Sequence, residues 1–162
     1  MILYHISTEP NHNGNFVPKV PDRRLITENN EKPRISLSPT IDGCLSAIPL
    51  GGAYLHQWYK SKDEIETNCR FHNGYRKFKL FKVDTEKLKI PDANIYEPED
   101  LIECGFCEDA HITKEHWITT EFKVPKEDQA IFTVENFRFY RNEEGYPVID
   151  MTNLNFIEGE IK

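Results

Sequence analysis

The sequence predicts an α+β fold, a single domain in which mostly antiparallel strands outnumber helices. Three observations carry that expectation. Apolar residues recur with period 2 in several short runs, as half-buried strands require. Ten prolines and eight glycines cut the 162 residues into pieces, few of them long enough for a helix. That length is one domain's worth, enough for a real core and too little for a second.

Each element follows in order. Ile2-Leu3-Tyr4-His5-Ile6-Ser7 reads as a strand with Ile2, Tyr4 and Ile6 on one face and Leu3, His5 and Ser7 on the other. Residues 8–33, with Pro10, the Asn13-Gly14 pair, Pro18, Pro21 and many charges, read as a long mobile loop. Arg34 to Ser38 is a second short strand. A helix follows it, with Ser38 as the expected cap, Pro39 at the first position, and Ile41, Leu45 and Ile48 at helical spacing up to Pro49. Residues 54–66 read as a further helix or an irregular stretch. Arg76 to Asp84 is a strand with charged ends and an apolar middle, whereas 91–114 reads as mostly irregular. His116 to Val124 is the clearest strand of the second half, with Ile118, Phe122 and Val124 facing the core and Glu115, Trp117, Thr119 and Glu121 opposite. Ala130 to Glu135 and Phe137 to Arg141 are strands, and a turn at Asn142-Glu143-Glu144-Gly145 returns the chain through Tyr146 to Met151.

Composition excludes more than it identifies. The formal net charge of −7 argues against a general duplex-DNA coat. No apolar run reaches the length of a membrane-spanning helix, and no basic region precedes the first apolar run as in a signal peptide. Four cysteines are too few for a disulfide framework, so reduced thiols and a cytoplasmic setting are expected. Arg70, Arg76, Lys77, Lys79, Lys82, Lys87 and Lys89 form a basic band interleaved with Phe71, Tyr75, Phe78 and Phe81. Single-stranded nucleic acid can use such a band. The aromatics read better as strand core and the lysines as a solvated edge that blocks sheet-to-sheet pairing.

Three strands offer polar chemistry in the order histidine, serine, carboxylate. His5 lies mid-strand, where position alone predicts a half-buried imidazole bonded to a carbonyl. Ser36 and Ser38 alternate along the second strand. Glu115 stands at the mouth of a later strand, two residues before Trp117; taken alone it reads as a solvated strand-end acid.

This order resembles the ADP-ribosyltransferase superfamily, in its His–Tyr–Glu branch of PARP-like and diphtheria-toxin-like enzymes. The residues that carry the resemblance are Leu3-Tyr4-His5-Ile6-Ser7, Arg34 to Ser38 with the helix after it, and Glu115-His116-Trp117-Ile118; it spans about residues 1–50 and 112–135. The resemblance implies a split sheet, with NAD as substrate and ADP-ribose passed to a protein or other acceptor, as a bacterial or phage effector would do. It implies Glu115 and His5 as catalytic residues, and His5, Ser7, Ser36, Ser38 and Arg34 as nucleotide-binding, with Arg23 and Arg24 near enough in sequence to serve phosphates. Where the family has a tyrosine on the second strand, this chain reads Ile35-Ser36-Leu37-Ser38. Those serines are similar to the family's Arg–Ser–Glu branch, which carries arginine where His5 stands. Tyr54 and Tyr59 are the nearest rings for stacking on nicotinamide, and Glu121 is the rival acid.

The alternative is a non-enzymatic protein-binding module or inhibitor. It would be stabilised by zinc through Cys69, His72, Cys104 and Cys107, with His111 as a further ligand. Ligands three residues apart suit a tetrahedral knuckle.

Overall fold

The computed structural model describes residues 1–22, 28–47, 67–70, 76–134, 136–141, 147–150, 155–159 and 161. Within them the chain forms a small α+β single domain with mostly antiparallel sheets and three short helices.

The main sheet runs in the order β1 (Ile2–Ser7), β5 (Arg76–Asp84), β9 (Gln129–Val134) and β12 (Asn155–Glu158), with every neighbouring pair antiparallel. β5 is therefore central and bonded on both sides. That corrects the solvated-edge reading of its lysines. Phe78, Leu80, Phe81 and Val83 are fully buried because both faces of this sheet are covered. Lys79 reaches over to donate to the His12 carbonyl at 2.8 Å, and Lys87 pairs with Asp128 at 2.6 Å. Phe78 and Phe81 have no face left for stacking on bases. Phe71 and Tyr75 lie outside the described residues.

A second sheet runs β3 (Ile35–Leu37), β7 (His116–Ile118) and β6 (Ile95–Tyr96). It meets the first at one joint, where Tyr4 and Ser38 exchange backbone hydrogen bonds of 2.7 and 3.0 Å. Beyond that joint β1 and β3 diverge. Antiparallel pairing would next bring Ile6 to Ser36, and that pair is not formed among the described residues. An apolar cluster of Leu3, Phe16, Ile35, Leu37, Phe81, Val83, Ile90, Ile118, Phe122 and Val124 fills the space between the two sheets. Two further pairings complete the strands: β2 (Asn15–Phe16) with β8 (Phe122–Lys123), and β10 (Asn136–Arg141) flanked by β11 (Pro147–Asp150) and β4 (Thr67–Arg70).

Several boundaries differ from the sequence reading. The strand expected over His116 to Val124 breaks at Thr119–Glu121 into β7 and β8, which belong to different sheets. Trp117 is fully buried, so its face of β7 is not a polar one. The Thr119 N–H bonds the Asn94 carbonyl at 2.9 Å, extending the β6–β7 ladder by one bond before the chain leaves the sheet. Residues 91–114 are not irregular: they carry β6 and the helices α2 (Pro98–Glu103) and α3 (Ala110–Thr113). Cys69 and Arg70 lie on β4. The segment 8–33 contains β2 and a Lys19–Arg34 bridge rather than being loop throughout. Helix α1 (Ile41–Ala47) is capped by Thr40, whose Oγ1 accepts the Gly43 N–H at 3.0 Å, and not by Ser38. The stretch 54–66 and the turn at 142–145 lie outside the described residues. No helix among the described residues is long and apolar enough to cross a membrane.

Candidate functional site

The split between β1 and β3 sets the first half of the site. In an antiparallel strand the N–H and C=O of one residue point to the same side. Ser38 uses both on Tyr4, so those of Ser36, two residues earlier, also face the gap. Its carbonyl is met by a side chain instead of a strand: His5 Nδ1 donates to Ser36 O at 2.9 Å. A carbonyl can only accept, so the proton sits on Nδ1 and Nε2 keeps its lone pair. The ring packs edge-on against Phe16, with centroids 4.9 Å apart. Burial lowers the His5 pKa from 6.5 to about 4, against the opposing pull of the Ser36 bond and assisted by His12. The imidazole is neutral at physiological pH.

The β3–β7 register sets the second half. Ser36 lies opposite Trp117, so Arg34, Ser36 and Ser38 share a face with Glu115 and Trp117. Glu115 is brought to the strand mouth by a left-handed turn. Lys114 has φ +52°, and the Glu115 N–H bonds the Ala110 carbonyl at 2.8 Å. Trp117 Nε1 donates to Glu115 Oε1 at 2.7 Å and the Ser36 hydroxyl is beside the carboxylate, while the Cys107 thiol, 3.8 Å from Oε2, lies nearer Asp109 Oδ1 at 3.3 Å. Burial raises the Glu115 pKa, the Trp117 and Ser36 bonds oppose the rise, and the charges of Glu28 and Asp109 add to it.

Ser36 thus stands between the two expected catalytic side chains: its carbonyl bonds His5, which packs on Phe16 and Phe81 between the sheets, and its side chain lies on the opposite face with Glu115 and Trp117. The other expected residues are placed differently. Arg34 is buried, pairs with Glu28, donates to the Asn29 and Lys32 carbonyls at 2.9 and 3.1 Å, and lies 3.8 Å over the Trp117 ring. It is an internal tie and not a phosphate ligand. Ser38 is buried too, donating to the Thr113 carbonyl at 2.8 Å and accepting the Thr40 N–H at 3.3 Å, so it fastens β3 to α1 and α3. Ser7 stays half-exposed at the end of β1 and accepts the Glu9 N–H at 3.1 Å. Glu121 is exposed in the break after β7, away from any continuing strand face. Arg23, Arg24, Tyr54 and Tyr59 lie outside the described residues.

Cys104 and Cys107 belong to a helix ending. Gly105 has φ +64°, its N–H bonds Ile102 O at 2.9 Å, and Phe106 N–H bonds Leu101 O at 2.8 Å. These are the paired bonds of a Schellman turn closing α2. The turn leaves Cys104 exposed and drives Cys107 inward, where burial raises its thiol pKa and keeps it a protonated donor. His111 is exposed on α3, His72 lies outside the described residues, and no metal-ligating group of three or more is present among those described.

The residues that sequence reasoning missed are Asp109, whose charge stands beside Glu115 and whose carboxylate accepts from Cys107, and His12; Cys107, read as a zinc ligand, lies beside the carboxylate instead. The His12 ring packs on Phe16 at 4.7 Å and Phe81 at 5.2 Å. Nothing in the local pattern of a loop marks such a residue. No protein-family model, curated protein or solved structure matches the chain.

Proposed function

We propose that the chain binds NAD and transfers its ADP-ribose to an acceptor. The observation that supports this reading is the double use of Ser36, whose carbonyl holds a neutral histidine on the inner side of the second sheet while its side chain lies on the opposite face with the half-buried Glu115. In the reaction the bond from ribose C1′ to the nicotinamide nitrogen breaks, and its electron pair leaves with nicotinamide. A nucleophile of the acceptor then bonds C1′ and releases a proton. Positive charge develops on the ribose in between, and the Glu115 carboxylate stabilises it. A carboxylate whose pKa burial has raised is also a better acceptor for the departing proton. His5 offers the Nε2 lone pair to a ribose hydroxyl, and the Trp117 indole N–H fixes the orientation of the carboxylate.

Nicotinamide release from NAD tests the reading. Glu115→Gln keeps the size and removes the charge, and is expected to lower the rate about 10²–10³-fold. Glu121→Gln, exposed and outside the strand, is expected to leave the rate within about threefold of wild type. If the wild-type chain neither binds NAD nor releases nicotinamide, the enzyme reading is wrong and the protein-binding module replaces it.

A further inference from the structure

We propose that His12, carried by the 8–33 segment, is a second sugar-binding residue of this site, donating from Nε2 to the hydroxyl next to the one that His5 accepts from. The inference rests on the NAD reading above. It comes from the two ring tautomers, each dictated by a backbone partner. His5 gives its Nδ1 proton to the Ser36 carbonyl, so its Nε2 accepts. At His12 the geometry is reversed: the Gly14 N–H donates to His12 Nδ1 at 3.1 Å, so the proton of the neutral ring sits on Nε2. No described residue hydrogen-bonds either Nε2.

The two rings share one apolar platform. Phe16 lies 4.9 Å from His5 and 4.7 Å from His12, and Phe81 lies 6.2 and 5.2 Å away. The loop is fastened there at three points: β2 pairs with β8, Lys79 Nζ donates to the His12 carbonyl at 2.8 Å, and Val124 N–H bonds the Gly14 carbonyl at 2.9 Å. A neutral acceptor and a neutral donor on one shared platform fit a vicinal diol, in which one hydroxyl gives its hydrogen and its neighbour takes one. The two riboses of NAD carry such diols. Burial and the nearby Lys79 and Lys19 lower the His12 pKa, against the pull of Glu9, which favours the neutral donor form.

The test is NAD titration by calorimetry with wild type, His12→Asn and His12→Gln, together with the melting temperature of each. Asparagine can accept the Gly14 N–H as Asn13 accepts that of Asn15 at 2.9 Å, so the turn is kept while the donor at the Nε2 position is lost. Glutamine places an amide N–H near that position. Binding about tenfold weaker in His12→Asn at an unchanged melting temperature, with His12→Gln within about threefold of wild type, is the expected result. Wild-type affinity in His12→Asn overturns the proposal and leaves the NAD reading standing. Equal weakening in both variants, with or without a lower melting temperature, assigns His12 a packing role and overturns it as well. No NAD binding by wild type overturns the NAD reading and this inference together.

Discussion

At the scale of single residues, His5 and Glu115 carry opposite pH signatures. The folded chain holds His5 near a pKa of about 4 against an ordinary 6.5. Below pH 6.5 the unfolded chain takes up a proton that the folded chain refuses. The contribution of neutral His5 is complete above 6.5 and is lost as the pH falls towards 4. Urea unfolding of wild type between pH 7 and 4.5 should therefore lose about 2 kcal/mol more than His5→Asn, whose amide can still donate to Ser36 O. Equal losses would show that His5 titrates freely. Glu115 shifts the other way: its raised pKa means that the ionised form is disfavoured in the folded chain, next to Glu28 and Asp109. Glu115→Gln should therefore raise the melting temperature at pH 7 while slowing nicotinamide release about 10²–10³-fold, the trade expected of a functional residue held against its stability. A lower melting temperature would mark the carboxylate as structural.

At the scale of elements, two short helices owe their ends to left-handed residues, and the two residues are of different kinds. Gly105 closes α2 at φ +64° with nothing within 4 Å of an added Cβ, so Gly105→Ala tests backbone strain alone and should cost about 1 kcal/mol in urea unfolding. Lys114 closes α3 at φ +52°, where Lys114→Gly should gain about 0.5 kcal/mol. A gain from the first or a loss from the second would contradict these turn assignments. The elements also show what the sequence could reveal. β1, β3, β5 and β9 carry strong alternation or apolar middles and lie within a residue of where the pattern puts them. β7 and β8 read as one strand, because the apolar spacing of Ile118, Phe122 and Val124 persists across the break at 119–121. The helices of 91–114 were missed although Glu97-Pro98 opens α2 and Asp100 caps the Glu97 N–H at 3.0 Å; four to six residues are too few for a helical period to register. For the site, Glu115 and Trp117 share a face by alternation, and Ser36 joins them through the β3–β7 register. Arg34 stacks on Trp117 and His12 packs on Phe81, contacts far apart in sequence that no local pattern encodes.

At the scale of the whole molecule, the core between the sheets decides how the site is held. Phe81 comes from the main sheet and Ile35, Leu37 and Ile118 from the second, yet they form one apolar cluster. Opening the second sheet would expose the inner face of the first, so the two halves of the site should unfold together. Trp117 reports on the second sheet, and the other tryptophan, Trp58, lies outside the described residues. In a Trp58→Phe background, the urea midpoint from Trp117 fluorescence should coincide with that from far-ultraviolet circular dichroism. Phe81→Ala removes a fully buried ring that touches His5, Phe16 and His12, and should cost about 3–5 kcal/mol and shift both midpoints together. Separate midpoints would mean that the β3–β7–β6 layer opens on its own. Glu115 could then part from His5 without global unfolding, and the Tyr4–Ser38 joint would be a hinge and not a seam.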